Sequence, residues 1–286
     1  MREALPEYRV TARNTSVQSE NLIHDDTVAR QYGFAGALVP GVTVYAYLTH
    51  PLVAGLGRPW LERGTAAVRF VKPILDGESV LVTGEVTSRG RDGVEASVTA
   101  STASTGTCAV LTATVPAANP TPVNLGRYAA APLPAERPAV TRAYLETVDR
   151  LGTPQERYDL ARADEYLSGI DDGLALYRGA QGLTHPAFIL TQGNRALSRN
   201  VRLGPWVHAA STIRHLGLSR VGETLATRGR VRSLYERKGR EYVELDLVIV
   251  ADAARPIAQV LHTAIYRLPS SDREGSDAGA ASASTP

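Results

Sequence analysis

An internal repeat constrains the fold of this chain more than any other feature of its sequence. Residues 77–86 read GESVLVTGEV, and residues 222–231, which lie 145 positions further along, read GETLATRGRV. The same spacing relates two apolar segments, residues 42–55 and residues 187–200. A single register shared by several segments indicates a duplicated structural unit. We therefore expect two copies of one domain rather than one large domain.

Each copy is predicted to contain one helix followed by strands. Residues 42–56 are apolar on nearly every side, which predicts a buried helix, and its counterpart at 187–200 is more amphipathic. Alternating apolar runs such as residues 243–249 follow each helix and predict strands. The expected turns are Asp76-Gly77, Asp92-Gly93 and Lys238-Gly239. This order predicts an α+β fold in which an antiparallel sheet wraps each buried helix.

Composition marks the predicted domain boundaries. Six prolines between residues 116 and 138 disfavour regular backbone ladders and predict a linker. Residues 270–286 contain Ser, Ala, Gly and acidic residues without apolar periodicity, which predicts a disordered tail. The chain is thus divided into a first unit (1–115), the linker (116–138), a second unit (139–269) and the tail (270–286).

Overall composition limits the class of protein. Hydrophobic residues make up 43% of the 286 residues, enough for a substantial core. The single cysteine, Cys108, cannot form an internal disulfide, and the N-terminal sequence contains no apolar run of the signal-peptide type, so a cytoplasmic location is expected. A net charge of +2 offers no strong field for nucleic acid or an anionic membrane, and neither is expected as a partner.

The candidate site lies in residues 19–41, which read SENLIHDDTVARQYGFAGALVPG. Polar residues gather at the start of this segment, and glycines at its end lead into the predicted buried helix. The imidazole of His24 can transfer a proton near neutral pH. The unpaired backbone N–H groups of a helix start can hold a carbonyl oxygen that gains negative charge. This pattern favours chemistry next to a carbonyl group.

The segment resembles the MaoC-like hydratases and dehydratases of the hot-dog fold. The positions that carry the resemblance are Asn21, His24, Asp26, Ala29, Gly33, Phe34, Gly36 and Gly41. With the repeat, the resemblance implies a tandem (double) hot-dog fold. It also implies addition of water to, or its removal from, an acyl thioester carried on coenzyme A or an acyl-carrier protein, with no other cofactor. By the same resemblance, His24 is the catalytic acid or base, Asn21 orients it, and Gly36 or Gly41 contacts the thioester oxygen.

One position departs from the family pattern. Five residues before the histidine the family has an aspartate that acts with it, and here that residue is Ser19. The adjacent Glu20 cannot easily replace it, because neighbouring side chains on an extended segment point in opposite directions. Ser19 is retained as a candidate site residue, but the family's pair of acid and base groups is not implied.

The second copy lacks the polar residues of this segment. When Gly33 is aligned with Gly179, the facing pairs are Asn21 with Leu167, His24 with Ile170, and Asp26 with Asp172. Because the aspartates occur in both copies, Asp26 and Asp172 are predicted to be capping or turn residues. The first copy is predicted to carry the chemistry and the second a binding or scaffold role; simple drift at a surface loop is the alternative.

The other histidines do not form a metal site by spacing, and no bound metal is expected. His50 lies inside the first predicted helix and is interpreted as a core residue, and His185 precedes the second helix as a local cap. His208 and His215 lie in a strand-like run, where each faces either the tunnel or solvent, and His262 is similar.

Three functions remain open. The leading hypothesis is a hydratase or dehydratase, or a related proton-transfer enzyme acting on an α,β-unsaturated carbonyl. The alternative is a non-catalytic protein that binds acyl or polyketide-like ligands in the same tunnel, which the loss of the aspartate at Ser19 favours. A thioesterase is the least favoured, because it needs a carboxylate on the central helix and residues 42–55 contain none. A homodimer is compatible with each of them.

Overall fold

A computed structural model of the chain describes residues 3–269. The predicted tail at 270–286 lies outside the described residues. The helices are α1 (Asp26–Gln31), α2 (Gly41–Leu56), α3 (Arg58–Arg63), α4 (Arg142–Thr147), α5 (Leu160–Ile170) and α6 (Pro186–Ser198). The strands are β1 (Glu3–Ala4), β2 (Tyr8–Thr11), β3 (Thr65–Phe70), β4 (Ser79–Gly90), β5 (Gly93–Thr102), β6 (Gly106–Pro116), β7 (Gln155–Arg157), β8 (Val207–His215), β9 (Thr224–Arg237), β10 (Arg240–Ala251) and β11 (Arg255–Arg267).

The described strands form one continuous antiparallel sheet. Its order is β1-β4-β5-β6-β3-β8-β11-β10-β9-β7, with β2 also paired to β4. The two halves of the sheet join at β3 and β8, where Ala66 faces Ile213 and Val68 faces Ser211. The predicted α+β layout, with a central helix and an antiparallel meander in each copy, is confirmed, and the described part of each half contains two further short or peripheral α-helices.

Helices α2 and α6 pack against each other and against the sheet. The predicted burial of α2 is confirmed, since Tyr45, Leu48 and Leu52 have no exposed surface. Burying one such leucine stabilises the fold by about 1.5–3 kcal/mol relative to leaving it exposed. A helix that is apolar on most sides therefore belongs in the centre of the protein, with strands around it.

Matching hydrogen bonds show why the Gly-Glu pair occurs in both copies. Gly77 has φ +80° and Gly222 has φ +97°, a backbone region that favours glycine. The carboxylate of Glu78 accepts a hydrogen bond from Leu75 N at 2.8 Å, and that of Glu223 accepts one from Arg220 N at 3.2 Å. The repeated pair therefore builds the same turn before β4 and before β9.

The proline-rich segment packs against the outer face of the sheet in the second half. Its Tyr128 packs with Ala226, Val248 and Val250 on the sheet, and its hydroxyl lies 2.8 Å from Asp246 Oδ1. Tyr128 therefore covers the outer face of β10. This cover explains why Val248 and Val250, which alternate with the inward-facing residues of the strand, are also buried. Among residues 3–269, the structure contains no helix that is both long and apolar enough to cross a membrane.

Candidate active site

Two cavities meet at His24. The smaller has a volume of about 220 Å³ and the larger about 300 Å³. The residues that line both cavities are Asn21, His24, Pro40, Asn194 and Trp206. Three of these come from the first half of the chain and two from the second. The site is therefore formed between the two halves.

Asn21 fastens the site segment to the second half. It is the N-cap of a short 3₁₀ turn at Leu22–His24 and is buried. Its side-chain amide donates to Trp206 O at 3.0 Å, and its Oδ1 accepts from Trp206 N at 3.1 Å. A bidentate contact of this kind fixes both the position and the orientation of the turn that carries His24.

The hydrogen bonds of His24 define its neutral tautomer. Nδ1 lies 2.7 Å from the carbonyl oxygen of Leu38, and because a carbonyl only accepts, Nδ1 carries the proton. Nε2 is then the unprotonated nitrogen, and the Asn21 amide nitrogen is 3.3 Å away. Burial lowers the pKa of His24, and the Leu38 carbonyl opposes this only in part. His24 is therefore a neutral proton acceptor at pH 7.

Ser19 hydrogen-bonds to backbone at the start of the site segment. Its hydroxyl accepts a hydrogen bond from Asn21 N at 3.0 Å, and the residue is exposed at the rim of the larger cavity. The neighbouring Glu20 binds Arg137, with a contact of 2.7 Å, and this pairing lowers the pKa of Glu20. Within residues 3–269, Glu20 is the only carboxylate that lines either cavity.

The aspartates after His24 hold the backbone. Asp25 is the N-cap of α1 and accepts from Val28 N at 3.0 Å, and Asp26 accepts from Ala37 N at 2.7 Å. In the second half, Asp172 accepts from Leu174 N at 2.9 Å. The predicted capping or turn role of Asp26 and Asp172 agrees with these contacts.

The two candidate glycines lie in different places. Gly41 is the first residue of α2 and lines the smaller cavity. The preceding Pro40 makes no side-chain cap, so the first N–H groups of this helix are available. Gly36 lines neither cavity, and a Cβ there would lie 3.1 Å from the Asp26 carboxylate. The geometry supports a carbonyl contact at Gly41 and does not support one at Gly36.

The cavities differ in chemistry. Apolar side chains such as Ile23, Phe34 and Phe70 dominate the smaller cavity. The larger cavity is more polar and is lined by three arginines: Arg137, Arg195 and Arg199. His24 thus lies between an apolar space and a cationic opening. No group of three or more His, Cys, Asp or Glu suited to a metal occurs in the described part of the chain.

Comparison with solved structures identifies the fold. A protein of Chloroflexus aurantiacus provisionally described as a MaoC domain dehydratase superposes with a TM-score of 0.67 at 12% identity, covering 94% of this chain and 95% of that one. A Mycobacterium tuberculosis protein described as having a double hotdog fold gives a TM-score of 0.62 at 15% identity, covering 91% and 96%.

The chain has the double hot-dog fold. A protein of Thermobifida fusca provisionally described as a thioesterase II has a lower TM-score of 0.50 at 16% identity, covering 91% of this chain and 92% of that one. No family model matches the sequence, and no curated protein is similar to it. The predicted tandem hot-dog architecture is confirmed.

Three site residues of this double hot-dog were not predicted from the sequence: Asn194, Trp206 and His208. Asn194 lies on α6, and its Oδ1 is buried without a hydrogen-bond partner among residues 3–269. Trp206 provides the backbone groups that bind Asn21, and His208 lines the smaller cavity. The alternation of polar and apolar residues in β8 allowed His208 to face the tunnel. Nothing in the sequence around Asn194 or Trp206 indicates a site residue.

The equivalent place in the second half is filled. Leu167 and Ile170, the counterparts of Asn21 and His24, are buried in α5. His185 is the N-cap of α6, where its Nδ1 accepts from Ala187 N, so its Nε2 donates to Asp172 at 3.2 Å. The predicted capping role of His185 is confirmed.

Proposed function

We propose that this double hot-dog protein is an enzyme that adds water to an α,β-unsaturated acyl thioester, or removes it from the 3-hydroxyacyl product. The observation that carries the proposal is the unprotonated Nε2 of His24 at the junction of an apolar and a polar cavity. A neutral imidazole at such a junction is suited to accept a proton and return it.

In the hydration direction, His24 and water act in two steps. Nε2 of His24 takes a proton from water as the water oxygen bonds to the β-carbon, and the electron pair of the double bond moves onto the thioester oxygen. The imidazolium then returns its proton to the α-carbon, and the carbonyl reforms. The product has gained one water, and His24 is again neutral. Dehydration follows the same steps in reverse.

The enolate formed between these steps needs a hydrogen-bond donor at its oxygen. The N-terminus of α2 at Gly41 borders the smaller cavity, and its free N–H groups and positive helix dipole favour a developing negative charge. We assign the acyl chain to the smaller cavity, in which apolar side chains dominate.

The larger cavity is assigned to the carrier. Its arginines suit the phosphates of coenzyme A or of the phosphopantetheine arm of an acyl-carrier protein. Arg137 is already paired with Glu20, and Arg195 lies 3.2 Å from Glu156, whereas Arg199 forms no ion pair with another residue among 3–269. No further cofactor enters the proposal.

A second candidate function is ligand binding without turnover. It is favoured by the absence of a carboxylate beside His24, since Ser19 binds backbone and Glu20 binds Arg137. The thioesterase alternative has less support. Neither α2 nor α6 contains Asp or Glu, and the cavities offer no unpaired carboxylate within residues 3–269.

The test combines binding and turnover. Trans-2-enoyl-coenzyme A substrates of increasing chain length are titrated calorimetrically, and loss of the conjugated enoyl absorbance is followed in parallel. The proposal predicts binding with turnover in the natural chain. Binding without turnover, together with turnover in Ser19→Asp, would establish the ligand-binding function instead. Release of free thiol would establish a thioesterase.

A further inference from the structure

A buried chain of polar side chains lies behind the smaller cavity. His208 Nε2 is 2.8 Å from Ser211 Oγ, and the same oxygen is 3.1 Å from His262 Nδ1. The two imidazole rings are 4.3 Å apart. His208 and Ser211 lie on β8 and His262 on β11, and all three are at least nine-tenths buried. These three side chains belong neither to the predicted site nor to the proposed reaction steps.

The polar chain contacts both central helices at glycines. A Cβ on Gly41, the first residue of α2, would lie 3.2 Å from His208 Nδ1. A Cβ on Gly193 of α6 would lie 2.9 Å from His262 Nδ1. Each helix therefore has a glycine where an imidazole approaches it. At Gly41 this brings a ring nitrogen to the helix start that borders the cavity.

Among the described residues, one of the two ring nitrogens of His208 is unpaired at the start of α2. Its Nε2 is held by Ser211, whereas its Nδ1 is buried and has no hydrogen-bond partner in the part of the chain that the structure describes. His208 itself lines the smaller cavity together with Gly41 and His24. A buried polar atom without a partner is costly, and such atoms are concentrated where a ligand or water completes the hydrogen bonding.

The serine hydroxyl limits where the protons of the two imidazoles lie. Ser211 has one proton, so it donates to one ring and accepts from the other. If it accepts from His208, the proton of His262 lies on Nε2, a buried nitrogen without a described partner. If it donates to His208, the unsatisfied donor is instead Nδ1–H of His208, a residue that lines the smaller cavity. The second arrangement costs less, because a ligand can satisfy that donor.

We propose that His208 Nδ1–H donates a hydrogen bond to the thioester carbonyl oxygen, and so acts with the N-terminus of α2 at Gly41 to stabilise the enolate. This inference rests on the proposed function. His208 transfers no proton to the oxygen; the electron pair that arrives there is held by hydrogen bonds until the carbonyl reforms. The first half thus supplies the proton acceptor, His24, and the second half supplies a donor for the developing charge.

Electrostatics agree with a neutral donor. Burial, followed by the proximity of His262, lowers the pKa of His208 well below its ordinary value. Burial also lowers the pKa of His262 to about 3. Both rings therefore stay uncharged at pH 7, which lets each donate one hydrogen bond and accept another.

His215 provides a matched control on the same strand. It is also buried, and both of its ring nitrogens lack a hydrogen-bond partner among residues 3–269. It packs edge-on against Trp60, with ring centroids 4.9 Å apart, and it does not line either cavity. Replacing each histidine by phenylalanine removes a buried imidazole in both cases, but the proposal gives only His208 a contact with substrate.

The experiment measures the carbonyl of a bound probe. Hexanoyl-coenzyme A, a saturated analogue that cannot be hydrated, is labelled with ¹³C at the carbonyl and bound to the natural chain, His208→Phe and His215→Phe, and its carbonyl stretch is recorded by isotope-edited infrared spectroscopy. We expect a shift to lower wavenumber in the natural chain and in His215→Phe, and a smaller shift in His208→Phe. Removing one donor from such a site lowers kcat by about 10²-fold, and we expect KM to change far less.

A second measurement covers a His208 variant that fails to fold. In the natural chain labelled with ¹⁵N-histidine, Nδ1 of His208 should give the signal of a protonated ring nitrogen, which moves when the probe binds. An unprotonated Nδ1, or an equal carbonyl shift in all three proteins, would overturn the role of His208 while leaving the proposed function intact. A natural chain that does not bind the probe would overturn the proposed function and this inference with it.

Discussion

The two halves of the molecule share their backbone contacts but differ in chemistry. Val39 N donates to Ile74 O at 2.9 Å in the first half, and Thr184 N donates to Ser219 O at 2.8 Å, 145 residues later, in the second. Pro40 lines both cavities, whereas its counterpart His185 is fully buried. The two copies thus keep the same backbone contacts, while side-chain replacements confine the chemistry to one copy.

The second half replaces the open site with packed polar and aromatic groups. Asp172 is buried between His185 and His50, whose Nδ1 lies 3.3 Å from it, and Tyr8 stacks on His50 at 3.9 Å. Burial alone would raise the pKa of Asp172, but hydrogen bonds from His185 and His50 hold it well below its usual range. This place is therefore a structural cluster built around a buried carboxylate.

The largest expected effect is a difference in activity between the alanine variants of His24 and His185. We expect His24→Ala to lower kcat/KM by about 10²–10⁴-fold, because the proton acceptor is removed. His185→Ala removes the α6 cap and the partner of Asp172, so it should lower the urea midpoint while activity per folded molecule is retained. Steady-state kinetics and urea unfolding of both variants check this. Comparable turnover in His24→Ala and His185→Ala would break the functional comparison.

The next effect concerns stability at acidic pH. Burial lowers the pKa of His215 to about 4, whereas an unfolded histidine titrates near 6.5. Between these values the unfolded chain binds more protons, so stability is fully present above pH 6.5 and falls as the pH drops towards 4, by about 3 kcal/mol for this residue. His215→Phe, which copies Phe70 of the first half, should flatten the decline in urea midpoint between pH 7 and pH 5. An unchanged slope would contradict this assignment.

A smaller effect is expected at two asparagines, each of which hydrogen-bonds to both the N–H and the C=O of one residue. Asn21 binds N–H and C=O of Trp206, and Asn200 binds N–H and C=O of Gly152 at 2.7 and 2.9 Å. Each alanine variant leaves buried groups unpaired, at a cost of about 1–3 kcal/mol. Both should lose similar stability in denaturant unfolding, but only Asn21→Ala should also lose about tenfold or more in kcat, because it orients the His24 turn. Equal activity in the two variants would remove Asn21 from the site.

The smallest expected effect is on stability and concerns the glycine turn that occurs in both halves. Gly77 and Gly222 have positive φ and open space around the missing side chain, so alanine costs only backbone strain, about 1–2 kcal/mol in each half. Gly90 also has open space but no positive φ, so Gly90→Ala should be nearly neutral. Thermal unfolding of the three variants gives the comparison, and a clear inequality between Gly77→Ala and Gly222→Ala would show that the turns are not equivalent.

Local patterns predicted most of the scaffold. The helices α2 and α6, the meander of each half and the turns at Gly77, Gly93 and Gly239 follow from apolar periodicity and glycine placement, which depend on neighbouring residues. Helix α5 was not predicted, although it has a local signature: Asp159 caps its start, and its buried residues Ala163, Leu167 and Ile170 lie on one face. The short edge strands β1, β2 and β7 were also not predicted, since they are fixed by pairing with distant strands. The cover that Tyr128 provides is likewise a long-range contact.

The site could be predicted only where its residues are contiguous in sequence. His24, Asn21 and Gly41 come from one segment, and the structure brings them to the same cavity. Asn194, Trp206 and His208 reach that cavity because β3 pairs with β8 and α2 packs on α6, and neither contact has a signature near these residues. Strand alternation places His208 on one face of β8 without showing that this face borders a cavity.

The most direct test of the central claim follows the oxygen of water. The natural chain and His24→Ala are incubated with trans-2-hexenoyl-coenzyme A in H₂¹⁸O, and the products are analysed by mass spectrometry with fragmentation. We expect one ¹⁸O on the hydroxyl of a 3-hydroxyacyl thioester with the natural chain, and at least about 10²-fold slower formation of that labelled product with His24→Ala. Label in a free carboxylic acid, or labelling of the hydroxyl at equal rates with both proteins, would contradict this expectation.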